Sequence, residues 1–372
     1  MQRATALILA GGNKVGFGPL GGRGSVADMP FGGRYRVIDF ALSNCVNSGL
    51  TNIAVLAQQS AIRLRKHIGR GRPWDLDRRE GGVRIIQPYL HRNRGQWYRG
   101  TGEALSQNLD YIEDSPADLF LVLSGDGIYK MDYNLVQAFH VERRAGLTLV
   151  VKPVPRTHAG GYGVVEVDAE DRVRAFEEKP QAPRSNLAFL GVYLFSRDVL
   201  LEGLEGLGEA DRGYDLVADV LPSLIARGEV FAYRFDGYWQ DVGVLSAYYR
   251  AHMDLLGSDP ALRLHDRTWP IHTRGLALPP AKFAPGARCR NSLVAEGAVV
   301  HGCVSRSVLN PRVRVDPEAS VERSILLAGA RVEGPTVVEN AIIDEGRVVG
   351  PDTVLRRPAD AEVCVVTDGG AE

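Results

Sequence analysis

The sequence predicts an α/β domain on a mostly parallel sheet, followed by a C-terminal parallel β-helix. Two observations carry this. Over residues 1 to about 250, short runs rich in Val, Ile and Leu alternate with helix-like segments. A sheet buried on both faces by helices requires such continuous apolar strands. From residue 283 a recurrence of small side chains at near six-residue spacing replaces that pattern, and a short fixed period signals stacked coils.

The apolar runs are Ala6–Ala10, Ile53–Ala57, Leu119–Leu123, Leu147–Val151, Gly163–Val167 and Gly191–Phe195, each bounded by glycine or polar turns. Such sheets bind ligands beyond the carboxyl ends of their strands, so residues directly after a strand matter most. In the repeat, small residues fall at Ala287, Ser292, Ala298, Ser307, Ala319, Ser324, Ala330, Thr336, Ala341 and Thr353. Apolar residues sit four positions earlier at Val294, Val315, Leu326, Val332, Val337 and Val349, with Pro and Gly at corners. The expected organisation is an α/β domain over 1–250, a connecting segment over 251–282 and a β-helix over 283–372.

With 44 Lys+Arg against 45 Asp+Glu among 372 residues, net charge is −1, which argues against a general nucleic-acid binder. Any anionic ligand must then be held by a local cluster of donors. No apolar stretch approaches the length of a transmembrane helix, and the N-terminal run is too short for a signal peptide. Cys45, Cys289, Cys303 and Cys364 include no C-x-x-C pair, so neither zinc nor disulfide scaffolding is indicated. The expectation is a reduced, cytoplasmic protein.

The motifs are Leu7-Ile8-Leu9-Ala10-Gly11-Gly12, Pro30-Phe31-Gly32-Gly33-Arg34-Tyr35-Arg36-Val37-Ile38-Asp39-Phe40 and Leu42-Ser43-Asn44-Cys45-Val46-Asn47-Ser48-Gly49. Further along come Trp97-Tyr98-Arg99-Gly100-Thr101, Ser124-Gly125-Asp126-Gly127-Ile128-Tyr129-Lys130-Met131-Asp132-Tyr133, Phe176-Glu177-Glu178-Lys179-Pro180 and Tyr238-Trp239-Gln240-Asp241-Val242-Gly243. With them the sequence resembles the bacterial glucose-1-phosphate adenylyltransferase (ADP-glucose pyrophosphorylase) family over nearly its whole length. The resemblance implies a Rossmann-like nucleotidyltransferase domain with a left-handed β-helix. The implied reaction joins ATP to glucose 1-phosphate, giving ADP-glucose and pyrophosphate. In-line transfer of this kind asks a protein mainly for positioning and charge neutralisation.

Read alone, Asp126 is either a turn residue capping the next segment or a Mg²⁺ ligand beside glycines; the resemblance favours the ligand. Asp241 reads as a helix N-cap or, by resemblance, as the second metal carboxylate. Lys179 would carry the phosphate of the sugar as a point charge. Gly11, Gly12, Tyr98, Gly100 and Thr101 would line the nucleotide site, and Gly163 and Glu178 would contact the sugar. The resemblance also implies a phosphorylated metabolite as effector, with Arg23, Arg34 and Arg36 as candidate cations. The implied assembly is a homotetramer, or a heterotetramer with a catalytic homologue.

The chain departs from the family in its phosphate loop. Aligned without gaps, Gly16 stands at the family's arginine and Val26 at its lysine. Seven of the fourteen residues from Gly11 to Gly24 are glycine, which raises the entropy lost on closure. Lys14 and Arg23 are the loop's only cations and are the expected replacements in catalysis. Phe189 replaces a small residue near the sugar, and Leu216-Val217-Ala218-Asp219 replaces a more polar stretch. Three readings follow: an adenylyltransferase with a remodelled loop, a non-catalytic regulatory subunit, and a pyrophosphorylase for another nucleotide or sugar.

Overall fold

The computed structural model describes residues 2–11, 15–22, 24–58, 61–88, 98–205, 213–358 and 361–371. The chain forms two compact units, one of residues 1–11 and 41–239, the other of residues 12–40 and 240–372.

In the first unit a nine-stranded sheet carries, in order, Val173–Glu178, Gly163–Val167, Leu187–Ser196, Leu119–Ser124, Ala4–Leu9, Asn52–Leu56 and Gly82–Ile86, with Leu147–Pro153 between Leu187–Ser196 and Val230–Arg234. From Leu119–Ser124 to Gly82–Ile86 every pairing is parallel. Leu187–Ser196 then runs antiparallel to Leu119–Ser124, Leu147–Pro153 and Gly163–Val167. All six apolar runs contribute to this sheet. The antiparallel part is invisible in them, because burial on both faces produces the same continuous run in either direction. The core beneath includes Leu7, Ala54, Phe120, Val122, Leu149 and Val165, all at most 1% exposed.

In the second unit three parallel sheets of five, five and six strands stack as a β-helix; in the third, Gly370–Ala371 closes the stack as an antiparallel strand. Val300, Val315, Val332 and Val349 stand in register through successive coils. The small positions explain themselves here. Ala298, Ser307, Ala319, Ser324, Ala330, Thr336 and Ala341 are buried. Serine hydroxyls accept from the next coil, with Ser324 N donating to Ser307 Oγ (3.1 Å) and Ala341 N to Ser324 Oγ (3.2 Å). Larger side chains would separate the coils. Within residues 12–40, Val26, Ala27 and Asp28 are buried. Arg36 ion-pairs with the Asp28 carboxylate at 2.6 Å, so this effector candidate already holds a buried carboxylate. All four cysteines are free, and no helix among the described residues is long and apolar enough to cross a membrane.

Among the described residues, each unit buries one histidine, His140 in the first and His252 in the second. His140 bonds Thr148 Oγ1 (2.8 Å) and Ser196 Oγ (3.0 Å). His252 accepts from Gly32 N (3.2 Å) and meets the Tyr248 carbonyl (2.9 Å). Burial lowers both to about 4. A folded-state value below the unfolded one gives stability that is complete above about pH 6.5 and lost as pH falls toward 4. Urea unfolding is expected to show each histidine losing about 2 kcal/mol between pH 7 and pH 5. His140→Gln and His252→Gln should each flatten that slope. An unaltered slope would show that the rings are not held neutral.

Candidate active site

The parallel strands deliver their following residues to one edge of the first unit's sheet. Ala4–Leu9 leads to Gly11, Asn52–Leu56 to Gln58, and Leu119–Ser124 to Asp126. Gln58 spans the first two positions. Its side chain lies 3.1 Å from where a side chain at Gly11 would begin, and its Nε2 donates to the Tyr98 carbonyl at 2.6 Å. Sequence reasoning missed Gln58, although its place directly after a parallel strand is a usable signal.

Asp126 is half-buried and accepts a hydrogen bond from Ser124 Oγ. Desolvation raises its carboxyl above the ordinary range, against the opposing effects of the Ser124 hydroxyl, a backbone N–H and the Lys179 charge. The turn after Asp126 is fixed from the helix that ends at Asn47. Asn44 Nδ2 donates to the Tyr129 carbonyl (3.0 Å), Asn44 Oδ1 accepts from Met131 N (3.2 Å), and Ser48 Oγ accepts from Tyr133 N (2.9 Å). Asp132 then caps the helix Tyr133–Arg143 through Asn134 N (2.9 Å). Two of the sequence motifs are thus one device, a buried amide and hydroxyl clamping the segment behind Asp126.

Lys179 sits beyond Val173–Glu178 in a left-handed conformation, φ 44°, uncommon for a side chain other than glycine. Its N–H donates to the Tyr162 carbonyl (3.2 Å). Its exposed ammonium lies 3.7 Å from Glu178 Oε1. Gly163 pairs directly with Glu178 across the hairpin. A Cβ at Gly163 would stand 2.4 Å from Phe176 Cζ and 3.0 Å from Glu178 Oε2, so a side chain there would displace both. Phe189 continues this aromatic wall, 5.8 Å from Phe176 and 4.6 Å from Tyr193. The Tyr193 hydroxyl is pushed up by burial and by the negative charges of Asp215 and Glu178. Tyr193 and Asp215 are further site candidates that the motifs did not single out.

Tyr98 is buried and its hydroxyl accepts from Asn108 Nδ2 (3.0 Å). Gly100 lies against the Tyr214 carbonyl, 2.0 Å from an added Cβ. The Thr101 hydroxyl donates to Asp215 Oδ2 (2.8 Å) and accepts from Leu216 N (3.0 Å). Thr101 therefore ties this segment to residues 214–216. Trp239 packs on Tyr162 with ring centroids 5.2 Å apart, and its buried indole N–H has no partner among the described residues. Asp241 belongs to the second unit, where its Oδ1 accepts from Gly243 N at 2.7 Å. Gly12, Lys14 and Arg23 lie outside the described residues.

Asp126 and Asp241 are hard oxygen donors, the chemistry of a divalent cation that keeps positions for substrate phosphates. No group of three or more His, Cys, Asp or Glu able to hold a metal occurs among the described residues.

Residues 5–258 match the nucleotidyl transferase family, and residues 279–371 the GlmU-like C-terminal hexapeptide family. The chain belongs to the nucleotidyl transferases that carry a hexapeptide β-helix. Within them it is a member of the glucose-1-phosphate adenylyltransferase family. It is 45% identical to the glucose-1-phosphate adenylyltransferase of Thermotoga neapolitana, over 85% of this chain and 75% of the relative. It is 49% identical to that of Thermomicrobium roseum over 81% and 71%, and 43% identical to that of Bacillus licheniformis over 99% and 97%.

Proposed function

We propose that the protein transfers the adenylyl group of ATP to glucose 1-phosphate. The observation that carries this reading is that Asp126 and Lys179 both stand just after strands of one sheet, Leu119–Ser124 and Val173–Glu178, in a chain 43% identical to a glucose-1-phosphate adenylyltransferase over 99% of its length. A sugar-phosphate oxygen attacks the α-phosphorus in line. The new P–O bond forms as the bond to the β-phosphate oxygen breaks, and pyrophosphate leaves. Lys179 holds the attacking phosphate, Gly163 and Glu178 contact the sugar, and Gly11, Gly12, Tyr98, Gly100 and Thr101 line the nucleotide side. Lys14 and Arg23 are assigned to the triphosphate. Mg²⁺, held by Asp126 and Asp241, would neutralise phosphate charge when bound.

The same reading places the protein in the cytoplasm as a tetramer responsive to a phosphorylated metabolite. Nothing in the fold or among the relatives favours a non-catalytic subunit. The test is pyrophosphate release by the purified protein with ATP, glucose 1-phosphate and Mg²⁺, and no release would overturn the proposal. Lys179→Ala is expected to raise the KM for glucose 1-phosphate by about 10–100-fold, the worth of a charge-assisted bond of roughly 1.5–3 kcal/mol. A KM within twofold of the parent would remove Lys179 from the site.

A further inference from the structure

The half-buried Lys152 on the strand Leu147–Pro153 has no role in the proposed chemistry, and its surroundings are specific. Its ammonium donates to the carbonyls of Gly237 (2.7 Å) and Asp236 (3.2 Å). It also lies 5.9 Å from the centre of the Phe235 ring. Phe235 N donates to the Val151 carbonyl at 2.8 Å, so the turn begins on the same strand that carries Lys152. A Cβ at Gly237 would stand 2.4 Å from Phe235 Cζ. The ring therefore lies directly against Gly237, and the ammonium clips that turn from the strand side.

We propose that Lys152 is a positioning residue for the sugar-phosphate site. The turn it clips leads within two residues to Trp239. Trp239 packs on Tyr162 at 5.2 Å, and the Tyr162 carbonyl accepts the N–H that holds Lys179 in its left-handed conformation (3.2 Å). One continuous line of contacts therefore runs from the Lys152 ammonium to the backbone of Lys179, all within the first unit. A side chain of equal length without donors would still cover Phe235, but would leave two carbonyls unbonded and the turn free to shift. Arginine would keep the donors.

This inference rests on the proposed function for its kinetic arm only. Lys152→Met is expected to raise the KM for glucose 1-phosphate about tenfold, the scale of two lost hydrogen bonds, while the KM for ATP stays within twofold. Lys152→Arg should return the KM to within about twofold to threefold. The second arm uses no substrate. Tryptophan emission should shift in Lys152→Met relative to the parent, and that shift should vanish when both proteins also carry Trp239→Phe. If the parent shows no turnover, the proposed function fails while the emission arm still decides the role of Lys152. Parental KM and parental Trp239 emission in Lys152→Met would overturn it. Should Lys152→Met not fold, Lys152→Gln, which keeps an amide donor, should show the same changes at reduced size, and parental values there would overturn it equally.

Discussion

Asp126→Asn is expected to lower turnover by about 10²–10³ while leaving the fold intact. The amide keeps the size of the carboxylate and a partner for the Ser124 hydroxyl. It removes the charge assigned to the metal, and loss of one preorganised electrostatic group typically costs about 10²–10³ in kcat. The stability effect should have the opposite sign from the activity effect. Desolvation holds the Asp126 carboxyl above its ordinary value, so the ionised form is disfavoured in the folded chain and a neutral amide relieves that cost. Pyrophosphate release beside thermal unfolding checks both halves. Turnover within tenfold of the parent would remove Asp126 from the chemistry. A large fall in Tm together with lost turnover would mark it as a structural residue.

The β-helix was legible because its constraint is local. Each coil repeats the same demand for a small residue where chains approach, and that demand writes a period into the sequence. Sheet strands were legible for a similar reason, since burial on two faces needs an unbroken apolar run. Strand direction was not, because a buried antiparallel strand such as Leu187–Ser196 has the same composition. The sorting of residues 12–40 with 240–372 was also hidden. It depends on contacts such as Gly32 N with His252 Nε2 and Phe17 with Tyr248, whose partners lie more than 200 residues apart in the chain. The site divides in the same way. Asp126 and Lys179 stand in compact motifs at strand ends and were readable. Gln58, Tyr193 and Asp215 act through neighbours distant in sequence, and Lys152 is a solitary lysine in an apolar strand with no motif around it.

The second large effect concerns the loop that departs from the family. Val26→Lys, which restores the family's lysine, is expected to destabilise the protein by about 4 kcal/mol. Val26 is 2% exposed, between Ser25 at 4% and Ala27 at 3%, and an unpaired ammonium buried there is among the most costly of substitutions. For a chain of 372 residues that is a fall of roughly 5 °C in Tm. Gly16→Arg faces a different obstacle. Gly16 is exposed, yet its Cβ would stand 2.8 Å from Val244 Cγ1 and 3.2 Å from the Gly243 carbonyl. Arginine at 16 should therefore be tolerated only beside Val244→Ala, which removes the colliding methyl. If burial at 26 and the contact with Val244 at 16 exclude the two cations, the proposed reading leaves Lys14 and Arg23 to offset the triphosphate charge. Thermal unfolding of Val26→Lys, Gly16→Arg and Gly16→Arg with Val244→Ala, followed by pyrophosphate release from whichever folds, separates the possibilities. If Val26→Lys unfolds at the parental temperature and turns over faster, position 26 faces the substrate, and the loop is an impaired version of the family's. If it unfolds early while the parent is active, the loop is a different solution to the same electrostatic problem, in which glycine and valine serve the fold and the charge has moved.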